Sequence, residues 1–226
     1  MTGLDVRVEE LVMTYVVDGE EVRALRGVDL TVQAGESVAL LGPSGSGKSS
    51  MLTLLAGLQR PTAGRALVGG HDVTSMTERQ LLALRARDVG VVVQGPARNL
   101  LPYANAEDNI RFAQRAVPRD RRDRLRPPRE LLASLGLGHV RSSRLGELSG
   151  GEQQRLSLAV GLAGAPGLLL ADEPTSQLDA ENRAHVVEML VSAASEGTTI
   201  VVITHDEHVA SQVSRSVHLR DGEVVP

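Results

Sequence analysis

Residues Gly42 to Ser50 read GPSGSGKSS, and what flanks them leaves few folds open. The apolar run ESVALLG ahead of the loop has the length and composition of a short buried strand. KSSMLTLLAGL behind it carries apolar residues at helical spacing and stops near a glycine. A strand that runs through a glycine-rich loop straight into a helix predicts an α/β unit built on a parallel sheet. Gly42, Gly45 and Gly47 let the backbone turn left-handed and approach closely, so that consecutive amides point inward at an anion. The helix adds its positive N-terminal end. The spacing G-x-x-x-x-G-K-[ST] then predicts that Lys48 bridges the β- and γ-phosphates of a nucleotide and that the Ser49 hydroxyl ligates Mg²⁺, with Pro43, Ser44, Ser46 and Ser50 completing the loop.

Lys48 is also the only lysine in the chain; every other basic residue is arginine. An ammonium is a compact charge with three rotating donors, whereas a guanidinium is a wide planar fork with donors in fixed directions. A tight ring of backbone amides admits the first and not the second, which is one reading of why this position alone escapes arginine; accident is the other.

The remaining pattern is consistent with one domain over residues 1–226. LDVRVEELVMTYVV and EVRALRGVDLTV alternate Val and Leu on either side of Asp18-Gly19, which predicts an antiparallel hairpin. DVGVVVQ, GLLLAD and TTIVVITHD are short apolar runs separated by helical segments, the pattern of parallel strands buried on both faces. VHLRDGEVV closes as a second hairpin on Asp221-Gly222. Residues 95–165 contain no strong strand and read as a helical insertion. The fold class expected is therefore an α/β phosphate-loop nucleotide-binding core with an antiparallel β subdomain and a helical insertion.

Composition narrows the function. With no cysteine, disulfides and thiolate metal sites are excluded. Tyr15, Tyr103 and Phe112 are the only aromatic residues, too few for base-stacking platforms, and a net charge of -4 gives no general attraction for nucleic acid. PRDRRDRLRPPRE, residues 118–130, is arginine-rich but has no interleaved aromatics, so a solvated face of the insertion is expected there. HDEH, residues 205–208, lacks the H-E-x-x-H spacing of a helical zinc pair. MTGLDVRVEE has acids where a signal peptide has a basic region, and the apolar runs fall far short of the ~20 residues of a membrane span. A chain soluble by itself is expected.

Two further motifs narrow the class. GLLLADEP, Gly167 to Pro174, ends an apolar strand in two acids. Asp172 is placed to hold Mg²⁺ and Glu173 to orient or deprotonate an attacking water. LSGGEQQR, Leu148 to Arg155, puts an N-capping serine and two glycines at a helix start, where phosphate can approach the positive end. With these motifs in this order, the chain resembles the ATP-binding subunits of ABC transporters from about Leu11 onward.

The resemblance implies that Ser149, Gly150 and Gly151 grip the γ-phosphate of a nucleotide held by the other subunit of a head-to-tail homodimer. It also implies that Gln94 touches Mg²⁺ and the attacking water, that His205 contacts the γ-phosphate, that Tyr15 stacks on adenine, and that SQLD, Ser176 to Asp179, crosses the dimer interface with Asp179 as its fixed acid. Gln177 replaces a smaller residue more usual there. HDVTSMTERQLLALRARDVGVVVQ and NLLPYANAEDNI resemble the macrolide-export, lipoprotein-release and cell-division branch, although GPAR after Gln94 departs from the short apolar stretch common there. The function implied is hydrolysis of ATP to ADP and phosphate, with dimer closure driving a membrane partner from the inner face of the membrane. Mechanical signalling through such a partner, or a soluble remodelling ATPase, are the alternatives.

Overall fold

The computed structural model describes residues 3–225. The chain opens with β1 (Val6–Val17) and β2 (Glu20–Val32), paired antiparallel through the turn at Asp18 and Gly19, both at positive φ as a tight hairpin demands. β3 (Ser37–Leu41) leads through the glycine loop into α1 (Lys48–Leu55). β4 (Ala63–Val68), β5 (His71–Asp72) and α2 (Glu78–Arg87) precede β6 (Val89–Val92). The insertion follows with α3 (Ala106–Ala116) and α4 (Pro128–Ser134), and α5 (Gly150–Leu162) returns the chain to the core. Then come β7 (Leu168–Asp172), α6 (Ala180–Ser195), β8 (Thr199–Ile203), α7 (Glu207–Ser211) and the hairpin β9 (Arg215–Arg220) and β10 (Glu223–Val225).

Two sheets result. One is antiparallel in the order β2-β1-β4-β5; the other runs β10-β9-β3-β8-β7-β6 and is parallel except for the β9-β10 hairpin. β7 and β8 are buried at every position, which is why their sequences are unbroken apolar runs. α1 lies between the sheets and buries Met51, Leu52, Leu54 and Leu55 together with apolar residues of both. Apolar residues at neighbouring helix positions, rather than in one stripe, suit a helix covered on two sides, and each contributes about 1.5–3 kcal/mol of transfer free energy. The opposite face of the parallel sheet packs on α5 and α6.

The structure departs from the sequence expectations in four places. β4 and β5 have no apolar run of their own and extend the antiparallel sheet beyond the first hairpin. The strand expected to end at Gln94 ends at Val92. α5 is shared, since Leu156 and Ala159 close the core of the insertion while Leu158 of the same helix packs on β7 and α6. The arginine-rich stretch is only partly a solvated face. Arg121 donates to the carbonyl of Arg87 at 2.9 Å and pairs with Asp88 at 2.5 Å, Arg122 caps the carbonyls of Arg115 and Val117, and Arg126 pairs with Glu196 at 2.5 Å.

Candidate active site

The carboxyl ends of β3, β7 and β8 and the segment after β6 converge on one cavity of about 570 Å³. Gly42 to Gly45, Gly47 to Ser50, Gln94, Asp172, Glu173 and His205 line it, with Ala24 and Ile203. Clefts beyond the carboxyl ends of parallel strands are where open α/β sheets bind ligands. Ser46 lies just beneath, almost fully buried.

Two glycines of the loop leave no room for a side chain. Gly42 and Gly47 have φ of 146° and 100°, and a Cβ would meet the Leu219 carbonyl oxygen at 2.0 Å and the Ala24 carbonyl oxygen at 2.3 Å. β9 and β2 therefore press on the loop from outside. Lys48, only 9% exposed, turns its Nζ back over the loop and donates to the carbonyls of Gly42 and Pro43, each at 2.8 Å, with Ser46 Oγ at 3.4 Å.

Ser49 Oγ donates to Asp172 Oδ2 at 2.8 Å and so joins the start of α1 to the end of β7. Burial pushes the Asp172 carboxyl above its ordinary range; the Ser49 hydrogen bond opposes this, the neighbouring Glu173 adds to it, and Lys48 works against it. Glu173 takes a left-handed conformation, φ 49°, with its N–H donating to the Ile203 carbonyl at 2.9 Å. Strain of this kind in a non-glycine residue persists only where the surroundings enforce it. Its Oε2 is buried and lies 2.9 Å from His205 Nδ1, yet makes no well-aligned hydrogen bond, while His205 itself is exposed. Next to it, Asp206 is the N-cap of α7 and accepts from the His208 N–H at 2.9 Å.

The donors match two ligand chemistries. Loop amides with a buried ammonium suit polyphosphate, and Ser49, Asp172 and Gln94, which all line the cavity, offer oxygen donors of the type a hard divalent cation prefers.

Other predicted residues lie elsewhere. Tyr15 does not line the cavity; its ring packs on the core, and its hydroxyl donates to Gln59 Oε1 at 2.7 Å and lies 3.1 Å from Ser50 Oγ. Ser149, Gly150 and Gly151 begin α5 and none of them lines the cavity. Ser149 forms a capping box there, with its N–H and Oγ donating to Glu152 Oε2 at 2.7 and 2.8 Å. Asp179 caps α6 on an exposed edge, its carboxyl held below the usual range by hydrogen bonds from the backbone and side chain of Asn182. Gln177, two residues before it, sits at φ 63°.

Sequence reasoning missed Asn99. Its Oδ1 accepts from Val93 N–H at 2.9 Å and its Nδ2 donates to the carbonyls of Val93 and Gly95 at 2.8 and 3.0 Å, bracketing Gln94 on both sides. An asparagine in a loop has no local signature for such a role. A second cavity of about 570 Å³, between α4, α5 and α6, is largely apolar and shares no residue with the first.

Residues 25–176 match the family profile described as ABC transporter. The lipoprotein-releasing system ATP-binding protein LolD of Geobacter metallireducens is 41% identical, with 96% of each chain covered. The macrolide export ATP-binding/permease protein MacB of Nitrosomonas europaea is 40% identical over 92% of this chain, which spans only 31% of that relative. Among solved structures, a dimeric ATP-binding cassette in a post-hydrolysis state, bound to ADP and Pi, superimposes with a TM-score of 0.89 at 33% identity, covering 98% of this chain and 97% of that one.

Proposed function

The chain belongs to the ABC transporter family and is an ATP-hydrolysing cassette, and from that premise we propose that it works as a head-to-tail dimer that drives a membrane subunit in export or extraction. One observation carries the dimer: Lys48, Ser49, Gln94, Asp172, Glu173 and His205 share a cavity, whereas Ser149, Gly151 and Asp179 are left out of it. A phosphate-gripping helix start that does not reach its own chain's site is explained if it serves the site of a second copy.

In the reading proposed, the loop amides and Lys48 bind the β- and γ-phosphates. Mg²⁺ held by Ser49, Asp172 and Gln94 would neutralise charge on the same phosphates. Glu173, strained toward the cavity, orients the attacking water and draws on its proton as the water oxygen bonds to the γ-phosphorus and the bond to the β-phosphate oxygen breaks. His205 donates to the γ-phosphate, and Ser149 and Gly151 of the second copy close on it. Product phosphate and ADP leave when the dimer opens.

Among the described residues no helix is long and apolar enough to cross a membrane, so a membrane task needs a partner. The relatives are named for lipoprotein release and macrolide export, and the MacB relative carries its permease in the same chain. The proposal therefore places this chain at the inner face of the membrane, bound through the insertion that follows Gln94, with residues 1–226 as one cassette.

Two experiments test this reading. Glu173→Gln should bind ATP without hydrolysing it and accumulate as a dimer in light scattering; a protein that stays monomeric at about tens of micromolar with ATP argues against the dimer. Substitutions in residues 95–108 should abolish the effect of a co-purified membrane protein on ATPase rate while sparing ATP binding. Recovery of only ribosomal or DNA-associated proteins that stimulate the ATPase would replace the membrane reading with the remodelling one.

A further inference from the structure

The start of α5 and the acid that begins α6 are tied together within one chain through Asn182. Arg155 on α5, 7% exposed, donates from Nη1 to Asn182 Oδ1 at 2.7 Å and lies 3.2 Å from His185 Nδ1. An arginine only donates, so His185 Nδ1 accepts in this contact. Asn182 passes the tie onward. Its Nδ2 donates to both carboxylate oxygens of Asp179 at 2.9 Å, and its backbone N–H donates to Asp179 Oδ1 at 2.8 Å.

Asparagine suits this position because it offers a carbonyl to the cation on one side and an amide to the anion on the other. An aspartate would face Asp179 with like charge, and an apolar residue would leave a buried guanidinium short of an acceptor, its Nε being already unpaired. The backbone of the α5 start rests on the same amide: a Cβ at Gly151 would lie 2.4 Å from Asn182 Cγ. The glycine is therefore required by its own neighbour, whatever a phosphate also asks of it.

We propose that Asn182 is a positioning residue that fixes Ser149 to Gly151 and Asp179 as one surface, presented as a unit to the nucleotide of the second copy. This inference rests on the reading that those residues serve the opposite site. Because the tie is made of directional hydrogen bonds to charged groups, a shift of the α5 start on meeting phosphate moves Asp179 with it. The residue does not line the chain's own cavity, so its loss should spare that chain's own ATP binding and weaken closure.

Trans-complementation decides it, with the full-length chain and MgATP as the probe. Lys48→Ala removes a chain's own phosphate site and leaves its α5 start intact; Ser149→Asp does the reverse, and aspartate remains a good N-cap, so the helix survives. Mixed, the two should form heterodimers with one intact composite site and recover up to about a quarter of wild-type turnover. Asn182→Asp, nearly isosteric and still an acceptor for Arg155, should behave as Ser149→Asp does. Alone it should lower turnover and ATP-driven dimerisation by about ten-fold while keeping the affinity for a fluorescent ATP analogue within about two-fold, and with Lys48→Ala it should recover. Recovery also proves that the variant folds, since it must then supply the working phosphate loop. If Ser149→Asp recovers and Asn182→Asp does not, or if Asn182→Asp weakens its own ATP binding, the positioning role is wrong. If neither recovers, the composite site fails and takes this inference with it.

Discussion

Lys48→Arg keeps the charge and changes only the shape that carries it. In the structure Nζ makes two 2.8 Å bonds to the carbonyls of Gly42 and Pro43, inside a loop closely backed at Gly42 by the Leu219 carbonyl and at Gly47 by that of Ala24. A guanidinium is one bond longer and branches in a plane, so it cannot converge on those acceptors or on phosphate oxygens brought to the same point. Hydrogen bonds to charged groups contribute about 1.5–3 kcal/mol each, and removing one or two that form to the transferring phosphoryl group costs about 3–4 kcal/mol.

The expected loss in kcat is therefore about 10²- to 10³-fold. Phosphate release at saturating MgATP measures it, and equilibrium binding of a fluorescent ATP analogue separates it from lost affinity. Lys48→Ala sets the scale: if geometry decides, the arginine variant falls near it. Turnover within about five-fold of wild type would refute the shape argument, since a positive charge alone would then suffice.

Asp172→Asn should raise the thermal midpoint of the nucleotide-free protein by about 2–4 °C, equivalent to about 1 kcal/mol, because the amide still accepts from Ser49 and no charge is buried. It should also abolish hydrolysis. Since burial raises the Asp172 carboxyl above its ordinary 3.8, the folded chain binds that proton more tightly than the unfolded one. Stability should fall as pH rises from that value through the raised one, and melting curves of the asparagine variant should lack this slope. Asn99→Ala should free the segment around Gln94 and lower turnover by about ten-fold with ATP affinity retained; equal loss of both would mean that the loop serves only binding. Gly42→Ala should abolish ATP binding in a titration, because its Cβ would collide with the Leu219 carbonyl oxygen at 2.0 Å; wild-type affinity would show that the loop is softer than described.

Spacing along the chain was enough to read the main elements, though not a local side-chain tie such as that of Asn99 to Val93 and Gly95. Strand, loop and helix around Gly42 to Ser50 follow from local spacing, as do the apolar runs of β7 and β8 and the two hairpins at Asp18-Gly19 and Asp221-Gly222. Partners remote in sequence meet only in the assembled fold. β4 is a strand because β1 offers it a ladder, although its first half, Ala63 to Arg65, is exposed and carries no apolar run. Arg121 and Arg126 bind acids at Asp88 and Glu196 that no window around the arginines contains. The strain at Glu173 is fixed by a carbonyl at Ile203, and Asn182 owes its role to Arg155, which the fold brings to its carbonyl oxygen. Periodicity records which side of an element is buried, whereas a directional hydrogen bond records which atoms meet, and only the assembled sheets and helices bring those atoms together.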